Sequence, residues 1–291
     1  MKLLRIAAST LLASGLLAGS AVLPASAGDR GTTQYVALGD SYASGVGANY
    51  YMDPDPADCL QSALGYPELL DERKRIDLVT NATCSGDTIS DVFSALGNLN
   101  ATTDLVTLTV GGNDVGYQFV IAACGYGTLT CTAAVNQAVG TEAQNQLSAG
   151  LSALYDGVRG SALYADVVVT GYPHLFSPEF GTTLFVPAIN LETGLPILDP
   201  TGAPVPPLPL TPAEQQILND GADALNAAIR TQAELAGFTY VDVVKRFDRH
   251  GLGSPQPWIQ PFTDPGALHP TAKGYKNGYL HEIRQAVKHL D

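Results

Sequence analysis

The chain has 291 residues, 45% of them hydrophobic and 15% charged, and a formal net charge of −13 at pH 7. That length is enough to bury one large α/β core without help from a metal. The acidic balance repels phosphate backbones and anionic headgroups, so nucleic acid is not expected to bind.

The first residues read as a leader. Lys2 and Arg5 are followed by a small, apolar run from Ile6 to Val22, and Ala25-Ser26-Ala27 fits a small-x-small cleavage site. The run is long for such a leader, which makes an uncleaved anchor the alternative; the Ala-x-Ala site favours cleavage near Ala27 and secretion of residues 28–291 as a single domain. No cysteine precedes Cys59, so a lipid-anchored N-terminus is excluded. The four cysteines, Cys59, Cys84, Cys124 and Cys131, lack a paired C-x-x-C metal pattern, and an oxidising destination favours disulfides. Four cysteines allow three connectivities. Pairing neighbours, Cys59–Cys84 and Cys124–Cys131, is the expected choice because each bond then closes a local loop.

In chain order, Tyr35 to Leu38 is an apolar strand broken by Gly39-Asp40, and Ser41 stands where a helix begins. An irregular Pro-, Asp- and Tyr-rich loop runs from Ala48 to Gly65, followed by a helix over Pro67–Lys74 and a strand over Ile76–Thr80. A turn containing Cys84-Ser85-Gly86-Asp87 leads to a helix over Ile89–Leu96. The β-branched run Asp104–Val110 is a strand ending in Gly111-Gly112-Asn113-Asp114. Ala143, Leu147, Leu151, Leu154 and Val158 mark one face of an amphipathic helix over Glu142–Val158. Ala165 to Thr170 is the fourth strand. Between Pro173 and Pro212 lie ten of the 19 prolines, so residues 173–212 form an excursion with no regular core element, or a cover over the active edge. Thr211-Pro212-Ala213-Glu214 is a capping box opening a long helix to about Ala236. Phe238–Val243 is the fifth strand, and a closing helix carries Leu280, Ile283 and Val287.

Alternating strands and helices argue for α/β architecture, a parallel sheet covered on both faces. A serine after a strand and before a helix lies where such sheets bind ligands, near unpaired helix N–H groups. On position alone, an ordinary helix N-cap serine is the commoner reading.

The blocks Gly39-Asp40-Ser41-Tyr42, Gly86 in Cys-Ser-Gly-Asp, Gly111-Gly112-Asn113-Asp114 and His269-Pro270 resemble, in order, the four blocks of the SGNH (GDSL-type) hydrolases. Gly171-Tyr172-Pro173 and Trp258-Ile259 resemble the secreted actinobacterial esterase, lipase and phospholipase A branch. The resemblance covers nearly the whole mature chain. It implies a flavodoxin-like, three-layer αβα sandwich with a central, mostly parallel five-stranded sheet. It also implies a secreted serine hydrolase of carboxylic esters: Ser41 as nucleophile, His269 as base, and an oxyanion hole from the Ser41 and Gly86 N–H groups and the Asn113 amide. Gly39-Asp40-Ser41-Tyr42-Ala43 lacks the last glycine of a Gly-x-Ser-x-Gly elbow, which argues against an α/β-hydrolase fold.

Other readings accompany these. Gly86 is otherwise a turn glycine, Asn113 an Asx-turn residue. Among five histidines, His174 also follows a strand at the active edge, and only the resemblance selects His269. The family's aspartate three residues before the histidine is replaced here by Gly266. The expectation is a Ser–His dyad with the ring held by the Gly266 carbonyl or one next to it, Asp264 being the less favoured partner. Tyr42, Tyr50, Tyr51, Leu184, Phe185, Val186 and Ile189 are candidates for an acyl groove, or ordinary packing residues. No metal cluster or cofactor motif appears, so no cofactor is expected. The expected partner is a small-molecule or lipid ester met by a monomer without stable membrane insertion. Phospholipase A and acyltransferase activity are the alternatives; a retired binding module is the remote one.

Overall fold

The computed structural model describes residues 31–52, 59–73, 75–191 and 194–290. The leader and its expected cleavage site lie outside them. Five parallel strands form the central sheet in the order β2-β1-β3-β4-β7: β1 (Thr33–Gly39), β2 (Ile76–Thr83), β3 (Leu105–Thr109), β4 (Asp166–Thr170) and β7 (Thr239–Val241). β3 is buried along its whole length, as a strand covered on both faces must be. Its threonines do not escape the core; the Thr109 hydroxyl bonds those of Tyr66 at 2.9 Å and Thr170 at 2.6 Å. Pairing of buried hydroxyls removes the penalty of leaving them dry and unbonded.

Helices cover both faces. α2 (Tyr66–Asp71) and α10 (Leu280–Ala286) pack together on one side; α3 (Ile89–Ser94), α6 (Thr141–Ser161) and α7 (Pro212–Leu235) pack in succession on the other. α7 begins at the expected capping box: Thr211 donates to the Glu214 carboxylate through both its backbone N–H and its hydroxyl. The chain starts at β1, adds β2 on one side, then crosses to place β3 on the other. The sheet therefore changes winding direction between β1 and β3, which opens a crevice beyond their C-terminal ends.

Three features depart from the sequence reading. Residues 115–141, left without assignment, fold as α4 (Tyr117–Cys124) and α5 (Thr128–Val139). The proline-rich excursion does contain regular structure, an antiparallel pair of β5 (Leu184–Val186) with β6 (Leu208–Leu210), where Val186 and Leu210 are buried. With only two strands, each has a free edge, so Pro209 costs no ladder bond. The segment after β7, expected as a loop, opens with a one-turn helix, α8 (Val244–Phe247), and the closing helix runs through α9 (Ala272–Gly274) and a π-helical turn, Tyr275–Tyr279, into α10. Two disulfides are present, Cys59–Cys84 and Cys124–Cys131; the second joins α4 to α5.

Candidate active site

At the end of β1 the chain turns into α1, only Ser41–Ser44. Asp40 is its N-cap and its carboxylate accepts from the Tyr42 N–H at 2.9 Å. Ser41 is thus the first helical residue, not the cap, and capping leaves its hydroxyl unused. Gly45, in the left-handed conformation, ends the helix after one turn.

The Ser41 hydroxyl meets the His269 ring: Oγ lies 2.7 Å from Nε2. The opposite ring nitrogen, Nδ1, donates to the carbonyl of Ala267 at 2.8 Å, which leaves Nε2 as the acceptor of the serine proton. The Gly266 carbonyl instead receives the backbone N–H of His269 at 3.1 Å, so of the carbonyls expected to hold the ring it is the neighbour of Gly266 that does so. Asp264 is not beside the ring either; its carboxylate accepts from the Gly266 N–H at 2.8 Å and closes the turn. Leu268 holds a left-handed backbone, φ 67°, between the carbonyl that grips the ring and the histidine itself. Such a conformation costs ~1–3 kcal/mol in a non-glycine residue. Two contacts hold it: Leu268 donates to the Gln260 carbonyl at 3.0 Å and accepts from the Tyr42 hydroxyl at 2.6 Å. Burial pushes the His269 imidazole below its ordinary value, against the opposing pull of the Ala267 and Gly266 carbonyls.

Ser41, Gly86, Asn113 and His269 line one cavity of about 440 Å³. Gly86 has φ 91° with open space where a side chain would project, and neither its N–H nor that of Ser41 has a protein acceptor among the described residues. One Asn113 amide N–H donates to the Asp87 carbonyl at 2.8 Å, tying the third block to the second. Asp114 reinforces this seam by accepting from the Ile89 N–H at 3.1 Å. Tyr172, after β4, joins the remaining pieces. Its hydroxyl donates to the Asp40 carboxylate at 2.5 Å and accepts from the Gly112 N–H at 2.9 Å. Asn226 on α7 clasps the Tyr172 backbone with two bonds of 2.8 Å. Sequence reading missed this role of Tyr172; the only signal was its place after a strand at the active edge.

Away from the polar centre the cavity runs between α4 and α7 to a buried apolar end of Ile121, Leu175, Ala222 and Leu225. Of the expected groove residues only Tyr42 lines it. Tyr50 is exposed, the Tyr51 hydroxyl accepts from the Gly47 N–H at 3.1 Å, and Leu184, Phe185 and Val186 belong to the β5–β6 pair. Ile189 does not line the cavity either: its carbonyl accepts from the Tyr126 hydroxyl outside it. The groove is built instead by α4, which periodicity did not reveal, together with α7. His174 pairs with Asp223 at 2.8 Å and does not line the cavity. Among the described residues no cluster of His, Cys, Asp and Glu could hold a metal, and no helix is long and apolar enough to cross a membrane.

Comparison with known proteins places this geometry. The GDSL-like lipase/acylhydrolase family matches residues 37–276. Lipase 1 of Streptomyces coelicolor is 30% identical over 290 residues, covering 98% of each chain. The crystal structure of an extracellular lipase from Streptomyces rimosus superposes with a TM-score of 0.72 at 34% identity, over 88% of this chain and all of that one. A phospholipase A1 from Streptomyces albidoflavus gives 0.70 at 32% identity, over 87% and 99%. With the match spanning the serine turn, the asparagine loop and the histidine, the chain belongs to the GDSL-like lipase/acylhydrolase family of carboxylic ester hydrolases.

Proposed function

We propose that the protein is a secreted lipid-ester hydrolase in which Ser41 and His269 act as a dyad and the Ala267 carbonyl orients the ring. The Ser41 oxygen attacks the ester carbonyl while Nε2 takes its proton; the tetrahedral oxyanion is held by the N–H groups of Ser41 and Gly86 and by the Asn113 amide. Collapse breaks the ester bond, and Nε2 gives its proton to the departing alcohol. Water then attacks the acyl-enzyme, its proton passing to Nε2 and on to Ser41 as the carboxylic acid leaves. The observation that carries this reading is the 2.7 Å contact between Nε2 and the serine oxygen, in a cavity shared with Gly86 and Asn113. The buried apolar end supports an acyl chain as the part of the substrate that is enclosed. Export is supported by the leader sequence, the two disulfides and the extracellular lipase among the similar proteins. The similarity to a phospholipase A1 favours phospholipids as a second substrate group for the same site.

The test is turnover of nitrophenyl esters by wild type, Ser41→Ala and Asn113→Ala. Loss of one oxyanion donor should reduce kcat by roughly 10²–10³, and Ser41→Ala should abolish labelling by a phosphonate. Near wild-type turnover in either variant overturns the assignment.

A further inference from the structure

Half of the exposed large apolar side chains among the described residues fall in just two segments, 119–129 and 185–198. The segments are neighbours. Gly125 lies so close to the excursion that a Cβ there would be 2.5 Å from Val186; Gly194 approaches the Phe119 ring, and the Tyr126 hydroxyl donates to the Ile189 carbonyl at 2.9 Å. Phe119 is 41% exposed and also lines the active-site cavity, so the patch continues into the cavity mouth. Leu129 is 89% exposed, Phe185 59% and Leu195 65%.

The charge pattern of this region is as uneven as its hydropathy. In a chain with 28 acidic residues, none lies between Asp114 and Glu142, and Arg159 is the sole cationic residue between Arg75 and Arg230. Exposed apolar side chains gathered on neighbouring segments at a cavity mouth mark an interaction site. The absence of charge across 115–141 makes transfer of that segment out of water inexpensive, and the second segment carries only acidic charge, Glu192 and the adjoining Asp199, so anionic headgroups find no cation to pair with.

We infer that the surface formed by Phe119, Tyr126, Leu129, Phe185 and Leu195 docks on an uncharged or zwitterionic lipid surface, setting the cavity mouth against the aggregate from which the ester is drawn. This rests on the ester-hydrolase reading above and adds where the substrate is met.

The test uses the full chain as Ser41→Ala, which cannot consume the vesicle, in co-sedimentation with phosphatidylcholine vesicles, with and without phosphatidylglycerol. The expected result is binding to phosphatidylcholine that phosphatidylglycerol does not strengthen. Replacing Leu129, Phe185 and Leu195 together by serine should weaken it at least tenfold. The same triple replacement in the active enzyme should leave hydrolysis of soluble nitrophenyl butyrate within twofold of wild type. Failure to bind phosphatidylcholine, binding that needs the anionic lipid, or binding insensitive to the triple replacement overturns the inference. So does a dimer in sedimentation that the triple replacement dissociates, since the patch would then cover a second copy. If wild type fails to hydrolyse nitrophenyl butyrate, it is the ester-hydrolase reading that falls, whatever the vesicles show.

Discussion

Asp40 carries its carboxylate where charge is costly. Burial pushes it up to about 7, against hydrogen bonds from Tyr172 and the Tyr42 and Ala43 backbone. The folded state therefore holds a proton between about pH 4 and 7 that the unfolded chain has released, and stability falls as pH rises through that window. The full effect is on the order of 4 kcal/mol. Asp40→Asn should flatten that slope relative to wild type in denaturant titrations from pH 4 to 8; part of the slope remains, because Asp87 is also raised, to about 6. An unchanged slope would show that Asp40 does not carry it. The carboxylate is retained, on this geometry, because it caps α1 and anchors Tyr172 at once. Asp264 has no such claim on the chemistry. Its carboxylate closes a turn at Gly266 while Ala267 holds the ring, so Asp264→Asn should keep kcat within about tenfold. A loss near 10⁴-fold in steady-state assays would instead indicate a true triad.

At the scale of elements, the site is assembled from ends: β1 into α1, β3 into the asparagine loop, β4 into Tyr172, and the turn before α9. None is long enough to be stable alone, and the bonds between them fix their spacing. α4 and α5 are held differently. α4 lines one side of the cavity, and the Cys124–Cys131 bond ties it to α5, which does not line it. Replacing both cysteines by serine should cost about 2–4 kcal/mol, read as a lower denaturation midpoint. Neither cysteine lines the cavity, so turnover of short esters should persist.

The molecule as a whole supplies what no single loop does, one cavity in which the proposed reacting groups and buried apolar residues of α4 and α7 meet. Ala222 sits at its buried end beside Leu225. Ala222→Phe should fill that end and shift preference along a C2 to C16 nitrophenyl series. One methylene in a hydrophobic pocket is worth about 1–3 kcal/mol, so kcat/KM for C16 should fall more than tenfold while C2 and C4 change little. A uniform loss at every length would mean that the acyl chain lies elsewhere.

Much of this was legible in residues alone. Buried strands announce themselves as apolar β-branched runs, and Thr211 with Glu214 declares a helix start, because these signals are local. The four blocks could be read for the same reason, each being a short turn with its own chemistry. What sequence did not supply depends on which distant parts touch. The Ala267 carbonyl, not that of Gly266, faces the ring because Leu268 takes a left-handed turn imposed by Gln260 and Tyr42. Tyr172 acquires two partners 132 and 60 residues away, and the acyl path is lined by α4, whose residues are apolar on nearly every side and so show no periodicity. Pattern determined the fold class, and the resemblance of four short blocks pointed to the reacting groups; only packing decided how those groups are held and which residues line the cavity beside them, since a contact between distant loops leaves no mark in either one alone.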